Sequence, residues 1–123
     1  MIGFKHAING LSLAFRSEYN FRFHLIALVV VVFFGYFLEI NFIEWAVLIF
    51  CMGLVLITEL LNTAIEYCCN FMEPNHNQKI KEIKDITAAA VLLSALCAAL
   101  VGLLIFIPKI IFHAKQIFFI AAN

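Results

Sequence analysis

Three stretches of the chain are almost wholly apolar, and the polar positions inside them are gathered rather than scattered. The first runs from about Phe23 to Leu38, with HLIALVVVVFFGYFL after its opening residue; the second runs from Trp45 to Met72; the third runs from Ile86 to Ile107. A helix needs about 20 apolar residues to cross a bilayer, so each stretch predicts a membrane span. The first is somewhat short, and helical continuity with the segment before it would lengthen it. That segment, residues 4–20, sets Phe4, Ile8, Leu11 and Phe15 at helical spacing, with Lys5, Asn9, Ser12 and Arg16 on another side. The pattern predicts an amphipathic helix lying in the membrane interface, apolar face down.

The connections are short. Glu39-Ile40-Asn41-Phe42-Ile43-Glu44 joins the first two spans, and Trp45 follows as an interfacial aromatic anchor. Pro74 is expected to stop the second helix, leaving EPNHNQKIKEIKD, residues 73–85, as a polar loop. In the third span Ala88, Ala89, Ala90, Ser94, Ala95, Ala98, Ala99 and Gly102 permit close helix packing. Pro108 and Lys109 are expected to end that span, and the tail 110–123 receives no role.

Composition agrees with this layout. Of 123 residues, 65% are hydrophobic and 13% charged, against roughly half and a quarter in ordinary globular domains. The expected fold is therefore an all-α integral membrane protein, a single domain of three transmembrane helices plus the N-terminal interfacial helix. So few helices can hardly bury a polar site alone, which predicts a homo-oligomer. Net charge is zero, so nothing draws the chain as a whole to nucleic acid. No short apolar stretch with a cleavage site follows Met1 and Lys5, so the first apolar run is expected to remain as a span. Cys51, Cys68, Cys69 and Cys97 all lie in apolar runs without metal-ligand spacing, and read as small membrane-core residues. Lys5, Arg16 and Arg22 precede the first span, the first loop has no cation, and Lys79, Lys81 and Lys84 occupy the second loop. The positive-inside rule then places the N-terminus and second loop in the cytoplasm and the C-terminus outside, with Lys109 and Lys115 running against it.

The chemistry is concentrated in the cytoplasmic half of the second span. Glu59, Asn62, Thr63 and Glu66 stand at i, i+3, i+4 and i+7, which puts them on one helical face. Carboxylates at this depth are costly, and two glutamates with an amide point to function over protonated glutamates that merely bridge helices. Such hard oxygen donors suit Mg²⁺, which takes one or two carboxylates together with phosphate oxygens. Glu18 lies at the same membrane level. Arg22, four residues on, is positioned either for an ion pair with it or for a phosphate. Lys84 and Asp85 sit where the second loop enters the third span; their plain reading is headgroup contact and a helix cap. There is no Walker A loop and no kinase glycine loop, so any nucleotide phosphates would be neutralised by a cation, Lys84 and Arg22.

The stretch Glu59-Leu60-Leu61-Asn62-Thr63-Ala64-Ile65-Glu66 resembles the E-x-x-N-[ST]-A-I-E signature of the small prokaryotic diacylglycerol kinase family. Lys84-Asp85 with Ala88-Ala89-Ala90-Val91-Leu92 is similar to its second signature, and Gly10-Leu11, Ala14-Phe15 and Glu18-Tyr19-Asn20-Phe21-Arg22 to its N-terminal block. The resemblance implies a homotrimer in the bacterial inner membrane, with a cytoplasmic site that transfers the ATP γ-phosphate to a lipid hydroxyl with Mg²⁺. It implies that Glu18 and Glu66 are metal ligands, that Asn62 supports the metal–phosphate site, and that Glu59 is the general base. It also implies that Lys84 and Asp85 bind nucleotide; Thr63 and Arg22, by their own placement, are candidate contacts to substrate or phosphate. Two positions depart from the pattern: Ile83 replaces an alanine, and Asn70 stands where the family commonly has Asp. Asn20-Phe21-Arg22-Phe23-His24 resembles the branch that includes undecaprenol kinases, which favours a polyprenol over diacylglycerol. The competing readings are a cation-conducting oligomer that uses the same glutamates and a scaffold that packs helices through them.

Overall fold

A computed structural model of the protein describes residues 2–75 and 77–121, and the described chain is four helices. They are α1 (Ile2–Ser17), α2 (Tyr19–Phe37), α3 (Phe42–Met72) and α4 (Gln78–Ala121). Among the described residues, α2, α3 and α4 are long and apolar enough to cross a membrane. The polypeptide has no other economical choice in lipid, where each backbone N–H and C=O must be satisfied within the segment.

The first helix ends sooner than its periodicity predicts. It stops at Ser17, and Glu18 is extended (φ −108°, ψ 117°) before α2 begins at Tyr19. The break leaves the last carbonyls of α1 without helical donors. The Arg22 guanidinium supplies them, donating to Phe15 O at 3.0 Å and Arg16 O at 3.1 Å. The expected side-chain pairing of Arg22 with Glu18 is therefore replaced by a cap on α1. The early start of α2 gives it 19 residues, about 28 Å of helix, which removes the shortfall of the first span.

The α2–α3 connection is fixed from both sides. Ile40 N–H returns to Gly35 O at 3.2 Å and Glu39 N–H to Tyr36 O at 3.3 Å. These are the two bonds of a Schellman cap, with Glu39 (φ +50°) at the left-handed position that glycine usually fills. A β-carbon on Gly35 would lie 2.8 Å from the Trp45 ring and 3.0 Å from Ile40 Cδ1, so glycine is required there for contact. Asn41 opens α3 with a capping box: its Oδ1 accepts from Ile43 and Glu44 N–H, and Glu44 Oε2 accepts from Asn41 N–H.

Two expectations about α4 are corrected. Asn77 Oδ1 accepts from Lys79 N–H at 2.9 Å, and the helix starts at Gln78, so Lys79 to Asp85 are helical and Asp85 is not a cap. The polar connection shrinks to residues 73–77, of which His76 is outside the described residues. Pro108 does not end the helix; α4 continues to Ala121, a total of 44 residues. Proline removes one hydrogen bond, but leaving the helix within lipid would expose several backbone groups, so continuation costs less. Just beyond it, Lys109 Nζ lies 3.2 Å from Glu44 Oε2. That ion pair neutralises the lysine that ran against the positive-inside pattern. Asn123 and its side of the membrane lie outside the described residues.

The largest packed interface is between α3 and α4, with α2 against α3 and α1 touching α2 and α3. A hydroxyl pair, Thr58 Oγ1 and Ser94 Oγ at 2.8 Å, ties α3 to α4. All four cysteines are free, but only Cys69 is buried; Cys68 and Cys97 are exposed, outside the packed interior.

Candidate functional site

Helix geometry fixes the depth of each polar residue on α3. Counting from Phe42, Glu59 lies about 26 Å along the axis and Glu66 about 36 Å. Asn62 stands between them, and the polar face lies towards the C-terminal end of the span.

Glu59 is 2% exposed and Thr63 is also buried. Glu59 Oε1 lies 3.2 Å from Nε2 of His24 on α2, within ion-pair distance. Yet the same oxygen has no aligned hydrogen bond, and Asn62 Oδ1 is likewise buried without a partner among the described residues. The Asn62 amide donates to Glu66 Oε1 at 3.4 Å, so its orphaned oxygen is held beside a carboxylate. Helix α1 touches α3, and Glu18 stands at the break between α1 and α2.

Lys84 is held at the same end of the molecule. Its Nζ donates to Asn70 Oδ1 at 2.6 Å, and Asn70 follows Glu66 by one helical turn. The acidic face thus continues through Asn70 to a cation from α4. Asp85 is exposed. Arg22 is committed to the α1 carbonyls, with the Tyr19 ring 6.0 Å from its guanidinium carbon.

Among the described residues, no three His, Cys, Asp or Glu side chains converge as a protein-only metal cage. The donor set is instead what a small hard cation takes from a protein: one or two carboxylates and an amide oxygen, with other positions left for phosphate and water. Glu66, Glu18 and the unpartnered Asn62 Oδ1 fit that description.

His24 is the site residue that the periodicity did not reveal. It lies on a different span from Glu59, 35 positions away, and only helix packing brings the two together. Its place at the end of the Asn20–His24 block was the available signal. His24 also lines an apolar groove of about 550 Å³ between α2, α3 and α4, which continues past Ala27, Val55 and Ala98 to Phe106. The buried carboxylate thus stands beside a side chain that lines an apolar groove.

Known proteins resemble this chain over most of its length. The model of the family described as prokaryotic diacylglycerol kinase matches residues 5–106. An undecaprenol kinase of Bacillus subtilis is 38% identical over 107 residues, covering 87% of this chain and 87% of that protein. A diacylglycerol kinase of Synechocystis sp. is 36% identical over 112 residues, 90% of this chain; the match spans 64% of that protein's length.

Proposed function

The chain belongs to the prokaryotic diacylglycerol kinase family and is a lipid kinase, and from that premise we propose that it transfers the γ-phosphate of ATP to the hydroxyl of a membrane lipid alcohol at the Glu59–Glu66 face. The observation that carries this reading is the depth series on α3. A buried carboxylate is followed, towards the end of the span, by an unpartnered amide oxygen and a second carboxylate.

In this reading Glu59 accepts the proton of the lipid hydroxyl as its oxygen attacks the γ-phosphorus. The bond from that phosphorus to the bridging oxygen breaks and ADP departs. Glu66 and Glu18, supported by Asn62, would hold Mg²⁺, which supplies neutralisation of phosphate charge when bound. Lys84 adds a cation for the nucleotide phosphates, and Asp85, on the same turn of α4, is the second nucleotide contact. Thr63, buried within the face, fixes its packing and lies beside the reacting groups. Arg22 orders the α1–α2 kink and so places Glu18. The site faces the cytoplasm of a bacterial inner membrane, α1 lies along the interface by its apolar face, and the working unit is a homotrimer.

Between lipid alcohols, the undecaprenol reading draws support from the Bacillus relative, which matches over most of both chains. A long prenol also suits an apolar groove that leaves His24 and extends along three helices. The cation-conducting alternative lacks support, because Leu48 and Val55 bury the outward continuation of the Glu59 face in apolar side chains.

The test is transfer of labelled phosphate from ATP to undecaprenol and to diacylglycerol in mixed micelles. Wild type should label undecaprenol in preference, and chelation of divalent cations should stop the reaction. Glu59→Gln and Glu66→Gln should each lower kcat by about 10²-fold or more. Near-normal turnover in both variants would remove the site assignment, and preference for diacylglycerol would reverse the substrate reading.

A further inference from the structure

The Glu59 carboxylate is the most buried charge-bearing group of the site, and a base is useful only when its lone pair is aimed. Among the described residues, the cationic side chain within ion-pair distance of it is the imidazole of His24, with Nε2 3.2 Å from Oε1 but without hydrogen-bond alignment. A carboxylate oxygen only accepts, so the contact is attractive when Nε2 carries a hydrogen. The ring is itself restrained, with the Phe23 ring edge-on at 5.6 Å and 77°. His24 also lines the apolar groove, so one imidazole borders both the groove and the carboxylate.

We infer that His24 is a positioning residue for phosphoryl transfer: its Nε2 orients the Glu59 carboxylate towards the groove that His24 lines, from which the hydroxyl of the lipid alcohol is presented. The inference rests on the proposed lipid-kinase reading of the Glu59 face. No bond to His24 forms or breaks; the hydroxyl proton goes to Glu59 alone. Without the imidazole, the carboxylate would keep its burial but lose its aim, and small misplacement of a reacting group costs about 10²-fold in rate.

The experiment is steady-state labelling of undecaprenol in mixed micelles by wild type, His24→Leu, His24→Gln, Glu59→Gln and the double variant His24→Leu/Glu59→Gln. His24→Leu should lower kcat by about 10²-fold while KM for ATP stays within about twofold. Glutamine places an amide N–H near the Nε2 position, so His24→Gln should return to within about tenfold of wild type. The double variant should be no slower than Glu59→Gln, because a residue that acts through Glu59 has nothing left to position. If His24→Leu fails to fold, His24→Asn, whose amide is too short to reach the same point, takes its place. Wild-type kcat in His24→Leu would overturn the inference. So would equal losses in His24→Gln and His24→Leu, or a double variant slowed by the product of the single losses. Each leaves the lipid-kinase reading standing if Glu59→Gln is slow. A wild-type protein inert towards every lipid alcohol would end both.

Discussion

At the scale of single residues, the site is a set of groups that differ in what surrounds them more than in their chemistry. Glu59 and Glu66 are the same side chain two helical turns apart, yet one is sealed within the bundle and the other is half-buried. The separate roles proposed for them rest on that difference in burial. Asn70 shows the converse. It stands where the resembling family has Asp, and it accepts a 2.6 Å hydrogen bond from Lys84. An aspartate would hold the same ammonium through a charge-assisted bond and compete with a nucleotide phosphate for it. Because the pair is exposed, the gain is at most about 1 kcal/mol, a factor of about five in binding. Asn70→Asp should therefore raise KM for ATP by about threefold to fivefold with little change in kcat. ATP titrations at saturating lipid would show this, and an unchanged or lower KM would mean that Lys84 is not the nucleotide's partner.

At the scale of elements, the helix ends decide where the reactive side chains stand. The Schellman turn after α2 has Glu39 in a left-handed conformation that costs a non-glycine residue roughly 1–2 kcal/mol. Glu39→Gly should relieve that strain and stabilise the protein by about 0.5–1 kcal/mol after the entropy cost of glycine. A higher midpoint for thermal inactivation in detergent, with unchanged kcat, is the expected result. Gly35 is the opposite case. Its missing side chain admits Trp45 and Ile40, and the atoms nearest an added carbon belong to a rigid indole. Gly35→Ala should destabilise by about 1–3 kcal/mol through overpacking, shown by a lower inactivation midpoint. The turn between α1 and α2 carries a candidate site residue, since Glu18 is the extended residue of the break and Arg22 caps α1 beside it.

At the scale of the whole molecule, the single chain has a core but not an enclosed one. Ala14, Phe21, Leu38, Ile40, Leu48, Val55 and Cys69 are its buried hydrophobic residues, while large apolar side chains cover the outside of every helix. Lipid accounts for part of that exposure. The site adds to this, because among the described residues no cationic side chain is paired with Glu66 or with Asn62 Oδ1. The protein in mild detergent should therefore run as a trimer, with intersubunit cross-linking lost in parallel with activity as detergent is made harsher. A fully active monomer by light scattering would overturn this.

The linear pattern alone determined the four helical segments, their order and the acidic face of α3. Those features depend on local periodicity, on the length a bilayer demands and on residues four or seven places apart along one helix. Local punctuation was legible only where it competed with nothing: Pro74 ends α3 in water, but Pro108 fails to end α4 because lipid forbids a frayed backbone. Residues far apart in the chain were placed by packing. His24 meets Glu59, Lys109 meets Glu44 and Lys84 meets Asn70 only once the helices are assembled, because a helical repeat says which face a residue occupies and not what that face will meet.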